Sequence, residues 1–538
     1  QNRQTLQVEP TSSLGLAAAS AGLTSFTVPV VGAAAAYSFL HRVYHNVAPS
    51  LPTKRQASEE DLQGGCALFR HVPPLRGRIA FRVVGNYPTP VHQVAVGSGA
   101  KDSLRFFVKR EDLASPLYGG NKLRTLQFQL AACEAHVEKH PGSRVYVIGS
   151  GGSNQCVATA VHGAAAFHLP ASTINVVHIS NDKPDLDNTL NLLSILSAGS
   201  DAVPVRPFSA PIGQRLGGLF SALYGGSKEG SARDLVLPPG GNNISGVLGQ
   251  IGAALELAEQ IEAGSSPDPE RIYLPIGSCC TATGLVMGTA IARSLGLRAF
   301  GSPAFRIVGV PVGFTPMMGY LHSTAMRSVP MSLAYGIEKV GAFIADTCGS
   351  SQWDFRSACH DQHANHFTCF DDRQFTGIYG SHSEKSLPAS QAYDANGVVE
   401  ELAGTLTASP VTDGHAEAAP KPLWLCGHFA AKAYSKMMED LTACSSADKP
   451  VPVYLFWQTK SAIQPLFQNA DEMDAMERLA SSSVALQKWA VRGRAYSSLR
   501  PGRFRLPSQD AQSNPDMDYR PIMTRLLWPA QSPARSKL

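Results

Sequence analysis

The stretch Tyr118-Gly119-Gly120-Asn121-Lys122-Leu123-Arg124-Thr125-Leu126 decides the reading of this chain. Its two glycines let backbone pass close to a flat ligand. Leu123, Leu126 and Leu130 recur at i, i+3 and i+7, so the lysine opens a helix. A cation at a helix start sits at the wrong end of the helix dipole for a purely structural role. That placement suits an amine that must be neutral to attack a carbonyl. A surface lysine on an ordinary turn is the plainer alternative, and this stretch alone leaves it open.

Working outward, short apolar runs alternate with helical patterns. Strands are expected at 106–108, 144–148, 173–179, 203–205, 271–275 and 305–310. Helices are expected from 155, over 187–197, over 245–262 with Asn243 or Ser245 as cap, and from 282 to 295. The alternation argues for an α/β fold with mostly parallel sheets and helices on both faces.

Phe107-Val108-Lys109-Arg110-Glu111-Asp112-Leu113, the Gly-Gly-Asn-Lys run, and Gly149-Ser150-Gly151-Gly152-Ser153-Asn154-Gln155 together carry a resemblance. They resemble the ACC deaminase and D-cysteine desulfhydrase family, which uses pyridoxal 5'-phosphate (PLP). The resemblance covers roughly residues 68–470. It implies a two-lobed fold type II, tryptophan-synthase-β-like, each lobe a mostly parallel sheet flanked by helices. The smaller lobe is expected at about 123–245 within a catalytic core of about 68–487. It also implies that Lys122 carries PLP as a Schiff base, and that Asn154 meets the phenolic oxygen. Ser153, Asn154 and Gln155 are expected on the substrate, with Ser153 near its carboxylate. In Tyr379-Gly380, Tyr379 is expected to reach the substrate.

Such a cofactor needs an amine, a phosphate cradle, a partner for its ring nitrogen and a group on its phenolic oxygen. Gly277-Ser278-Cys279-Cys280-Thr281 lies between a strand and a helix, where free N–H groups suit an anion. An ordinary strand–helix turn fits those residues too. The family carries a Gly-Ser-Gly-Gly-Thr-like loop here, so Gly277, Ser278 and Thr281 match while two cysteines replace glycines. Farther on, 425–433 resembles a family segment in which Lys432 matches. Phe429 stands where a second tyrosine belongs, and Ala430 where the nitrogen partner belongs. Thr459 matches the first residue of a Thr-Gly-Gly, with Lys460 and Ser461 in place of the glycines.

The 538 residues carry a net charge of +4, 44% apolar and 16% charged residues. That is a globular composition with room for a sizeable core, and no basic face for nucleic acid. Ten cysteines in so long a chain are no disulfide framework and read as reduced thiols. Cys348, Cys359, His360, His363, His366 and Cys369 match no zinc spacing, so no metal is expected; 341–378 reads as an inserted loop. Residues 1–67 form an extension whose apolar part, 14–40, fits a membrane span, a leader remnant or a plain apolar segment. The basic tail 488–538 ends Ser536-Lys537-Leu538, a tripeptide read by the peroxisomal import receptor. A peroxisome-type matrix is therefore expected ahead of a membrane-anchored form.

The expected function is a PLP-dependent lyase or deaminase for a small amino-acid substrate, D-cysteine or ACC-like, releasing ammonia and a 2-oxo acid. The altered second half leaves a weakly active or inactive PLP-fold binding protein as the alternative. The resemblance implies a homodimer.

Overall fold

The structure is a computed structural model. It describes residues 66–97, 104–150, 153–167, 173–179, 200–205, 234–313, 328–377, 382–389, 397–401, 425–446 and 452–461, with isolated residues between them such as Asn188, Asn191, Tyr379 and Gly380. The apolar stretch 14–40 and the tail 488–538 lie outside the described residues. Among the described residues no helix is long and apolar enough to cross a membrane.

Eleven described strands form two sheets: β1 (Val91–Val96), β2 (Leu104–Lys109), β3 (Val145–Ser150), β4 (Ile174–Ile179), β5 (Asp201–Val205), β6 (Leu235–Leu237), β7 (Arg271–Ile276), β8 (Arg306–Pro311), β9 (Phe367–Cys369), β10 (Gly397–Glu401) and β11 (Tyr454–Trp457). The smaller sheet has the order β5-β4-β3-β6, with every pair parallel. The larger runs β10-β1-β2-β11-β7-β8-β9; β1 is antiparallel to β10 and β2, and the other pairs are parallel. Strands such as β7, buried from Ile272 to Ile276, read as continuous apolar runs because both faces are covered. Two sheets, each mostly parallel, give the two-lobed α/β architecture that the sequence resemblance leads one to expect.

The lysine-bearing helix Lys122–Lys139 packs against Ile244–Glu262, which packs in turn against Cys280–Ser294. Glycines set the spacing. A Cβ at Gly249 would lie 1.9 Å from the Arg124 carbonyl oxygen, and one at Gly288 would lie 2.5 Å from the Ala254 Cβ. Neither position accepts a larger residue without moving a helix. Asn243 caps the middle helix, its Oδ1 accepting from the Gly246 N–H at 2.9 Å and from Gln129 Nε2 at 2.7 Å.

Where the three meet β2, a buried ionic knot closes the core. Arg124 donates to Glu111 Oε2 at 2.9 Å and to Glu256 Oε2 at 2.6 Å. Lys109 Nζ donates to Glu256 Oε1 at 2.7 Å, Gln260 Oε1 at 2.6 Å and the Thr89 carbonyl at 2.7 Å. All four charged side chains are buried. Burial alone would raise the Glu256 pKa, but the Arg124 and Lys109 charges outweigh it and hold the carboxyl at about 2. Burial pulls Lys109 down against the pull of Glu256, and its three acceptors favour the ammonium.

The stretch 341–378, expected as a loop insertion, is largely regular structure. The helices Ser328–Cys348 and Arg356–His366 lead into β9, which pairs with β8 as an edge strand. Cys359 is buried against Cys280–Ser294, its thiol directed to the Met287 carbonyl at 3.9 Å. His360 instead meets Glu338 at 2.6 Å, and His366 Nδ1 donates to the Phe305 carbonyl at 2.9 Å. Each histidine thus has its own structural partner. None of the ten cysteines, all among the described residues, is disulfide-bonded.

The knot sets a stability prediction. Glu256→Gln should lower the unfolding free energy by about 3 kcal/mol, because it leaves Arg124 and Lys109 partly uncompensated inside the core. Urea unfolding at pH 7 measures this; a loss under 1 kcal/mol contradicts it. The native Glu256 pKa lies below the unfolded value of 4.5, so its contribution is present above that pH. The gap between parent and variant should therefore close as pH falls from 4.5 toward about 2.

Candidate active site

Lys122 is the first residue of its helix, and the two glycines before it are there for separate reasons. Gly120 has φ +100°, a conformation L side chains rarely adopt. A Cβ at Gly119 would lie 2.2 Å from the Asp112 carbonyl oxygen. The turn is tied to the end of β11: Asn121 N–H donates to the Thr459 carbonyl at 3.2 Å, and Gly119 N–H to Ser461 Oγ at 3.0 Å.

The lysine amine donates to the Gly240 carbonyl at 3.0 Å. Gly240 has φ +64°, and a Cβ there would lie 2.3 Å from Ser278 Oγ and 3.6 Å from Lys122 Nζ. The turn 239–241 thus brings Lys122 and Ser278 to one place. Burial lowers the Lys122 pKa, with nearby Cys280 and Cys156 opposing. Burial pushes those thiols up to about 11 and 12, so at neutral pH they hold no charge to keep the amine protonated. The cause of the lowered pKa is thus chiefly desolvation.

The loop 277–281 lies at the start of Cys280–Ser294. Asn121 Nδ2 donates to Thr281 Oγ1 at 2.7 Å, linking the residue before the lysine to this helix start. Asn242 Nδ2 donates to the Ser278 carbonyl at 2.6 Å. Cys279 has φ +68°, so it keeps the left-handed conformation of the glycine it replaces. A Cβ at Gly277 would meet only Val312, at 3.7 Å, which leaves room on that side. Lys432 donates to the Val312 carbonyl beside it, and burial lowers that amine to about 7.

On the other side, Ser153 and Asn154 begin the helix Asn154–Ala165. Asn154 Oδ1 accepts from Tyr118 OH at 3.2 Å, Lys460 Nζ at 2.9 Å and Asn191 Nδ2 at 3.4 Å. Asn188, one helical turn before Asn191, donates to the Gly380 carbonyl at 3.4 Å. That segment therefore connects Asn154 with the Tyr379-Gly380 turn. Tyr379 lies edge-on to Phe429, with ring centroids 5.5 Å apart. Gln155 is fully buried and turned inward, donating to Gln129 Oε1 at 3.2 Å.

The structure thus brings Lys122, Ser278, Thr281 and Thr459 to one set of turns, and Asn154 to its neighbour. Ala430 is buried in an apolar cluster with Phe106, Tyr434 and Phe456. Sequence reasoning missed Gly240, Tyr118 and Asn191; the two glycines at 240 and 241 were the readable signal. A half-buried amine with a lowered pKa, a glycine-shaped space beside it, and a helix start carrying Ser278 and Thr281 fit PLP. Lys122 would hold its aldehyde carbon, and the 277–281 loop its phosphate.

A family model described as "Pyridoxal-phosphate dependent enzyme" matches residues 84–357, half of the chain, and the chain belongs to that family. Nocardicin C-9' epimerase of Nocardia uniformis subsp. tsuyamanensis is 34% identical over 192 residues, which cover 35% of this chain and 54% of that protein. The mitochondrial bifunctional D-cysteine desulfhydrase/1-aminocyclopropane-1-carboxylate deaminase of Arabidopsis thaliana is 27% identical over 232 residues, 42% of this chain and 54% of its own length. The chain spans about half the length of both relatives. A crystal structure titled as an ACC deaminase homologue aligns over 77% of this chain and 99% of its own, with 17% identity and a TM-score of 0.46.

Three outcomes follow from this geometry. At a left-handed position glycine outranks alanine, so Cys279→Gly should be more stable than Cys279→Ala by about 1 kcal/mol. Thermal unfolding gives the order, and the reverse order would mean the loop lacks that conformation. Lys122→Ala should abolish the visible cofactor band with the far-UV spectrum unchanged. Because the Lys122 pKa is lowered, its neutral form is available below the ordinary value of 10.5. The rate at which apo-protein takes up PLP should therefore level off below that pH; a rate still climbing through it counts against a buried neutral amine.

Proposed function

We propose that this protein is a PLP-dependent lyase or deaminase of small amino acids, acting on D-cysteine or an ACC-like substrate. The observation that carries the reading is the enclosed Lys122 amine on the Gly240 carbonyl, sharing that acceptor with Ser278. The D-cysteine desulfhydrase and ACC deaminase named among its relatives support the substrate class. Bound PLP supplies an electron sink when a bond to the substrate's α-carbon breaks. Lys122, as a free amine beside the substrate, would be the base that moves its proton. Ser153 and the helix start behind it meet the substrate carboxylate. Asn154 meets the phenolic oxygen, and Tyr379 closes the substrate side. Thr459 is the hydroxyl at the β11 end of the site. D-Cysteine and water would give pyruvate, ammonia and hydrogen sulfide.

A second reading is an epimerase, favoured by the 34% identity to nocardicin C-9' epimerase. For D-cysteine, both reactions begin with loss of the α-proton and part at what leaves next; ACC carries no α-proton, and its ring opens by attack on a ring carbon or proton loss from one. Incubation of the PLP-loaded protein with D-cysteine in heavy water separates them, and incubation with ACC tests the ring-opening branch. Ammonia with a 2-oxo acid is the expected result. Deuterium at an inverted α-carbon without ammonia selects the epimerase. A cofactor band with neither product means a binding protein.

A further inference from the structure

Lys460 is fully buried immediately beyond β11, on the strand end that holds the Lys122 turn. The matched family segment carries a glycine here. Lys460 has no positive φ, so its side chain is accommodated without backbone strain. Its Nζ donates to Asn154 Oδ1 at 2.9 Å and to Asn191 Oδ1 at 3.1 Å, and lies 6.0 Å from the centroid of the Tyr118 ring. Both of these acceptors are uncharged amide oxygens.

Asn154 Oδ1 therefore takes donors from Lys460, Tyr118 and Asn191. Three donors on one oxygen settle which end of the amide is which. The Nδ2 end must point elsewhere, as a donor. We propose that Lys460 is a positioning residue: it pins the Asn154 carbonyl so that the amide N–H faces the cofactor's phenolic oxygen, and it sets a positive charge at that edge of the cofactor. This rests on Asn154 meeting that oxygen, as proposed above. Because a glycine cannot supply either effect, the site differs here from the family pattern it otherwise matches.

A fixed cation opposes protonation of a nearby group and lowers its midpoint. The titratable groups around this edge are Tyr118 on the preceding turn, Cys156 on Asn154–Ala165, Lys122 on its own helix and Cys280 on Cys280–Ser294. The two thiols, raised to about 12 and about 11, stay neutral through the range of interest. Lys432, lowered to about 7, lies on Ala430–Ser446 and is common to parent and variants.

The experiment uses the full chain loaded with PLP, comparing parent, Lys460→Gln, Lys460→Gly and Lys460→Arg. Lys460→Gly restores the matched family residue, so it stands in if the glutamine variant fails to fold. The pH midpoint of the visible cofactor band should rise by about one unit in the glutamine and glycine variants, and stay near the parent's in the arginine variant. The PLP dissociation constant, read by fluorescence, should weaken several-fold in the first two. An unmoved midpoint and affinity in a folded glutamine or glycine variant overturns the role of Lys460 while leaving the Lys122 assignment standing. A parent protein that shows no band overturns that assignment, and this proposal with it.

Discussion

The shape of this molecule depends on charges taken out of water and satisfied by one another. Arg124 sits two residues after Lys122, on the same helix, and is locked between Glu111 and Glu256. Glu111 follows β2, and Glu256 belongs to the helix Ile244–Glu262. Lys109, the last residue of β2, closes the knot on Glu256. A buried ion pair is weak evidence for stability in itself, because desolvation offsets most of the attraction. Its effect lies in register. Each carboxylate loses its partner if the lysine helix turns or slides, and an orphaned buried charge costs far more than a lost apolar contact. The helix start bearing Lys122 is thereby fixed relative to β2 and to the turn 239–241.

That constraint explains why the run from Phe107 to Leu113 was readable as a signature although it meets the Lys122 turn only through backbone, Gly120 N–H donating to the Glu111 carbonyl at 2.8 Å. Its charges hold the site from behind. Arg110 and Asp112 are paired with each other in the interior, and it is the Asp112 carbonyl that approaches Gly119. A sequence motif of this kind marks a family through its scaffold, so it carries the fold more firmly than the reaction.

The fold was legible because it is written in local periodicity. β3, β4, β7 and β8 are short apolar runs next to helices, and their limits fell within a few residues of those expected. β1, β6, β9, β10 and β11 were not anticipated: four of them have five residues or fewer, and β1 mixes apolar with polar residues. The 341–378 stretch misled for a related reason: its Cys and His residues break the apolar period, yet Cys359 is one of the best-buried residues in it. In the site, Lys122 and the 277–281 loop were legible from glycines and a helix start. Asn191 and Gly240 were not, because nothing in their own neighbourhoods says that they meet Asn154 and Lys122 in space.

The departures from the family pattern also have a common origin in topology. β11 comes near the end of the described chain, yet it inserts between β2 and β7 in the middle of the larger sheet. Its C-terminal end delivers Thr459, Lys460 and Ser461 onto the Gly119-Gly120 turn, about 340 residues earlier in sequence. Residues at that junction face the site on one side and the turn on the other, so a glycine exchanged for lysine must satisfy both. Lys460 does so by extending to Asn154 and Asn191 while its backbone passes so close to Gly120 that a Cβ there would lie 3.4 Å from the Lys460 carbonyl carbon. Ala430 obeys a different constraint. It opens a helix whose first residues, Ala430, Ala431, Ala433 and Tyr434, pack into the apolar cluster under β2 and β7. A charged side chain there would have to be desolvated among aromatic rings. The packing that anchors this helix thus favours alanine at 430, and the polar groups of the site come from the ends of β7 and β11 and from the start of the Asn154 helix.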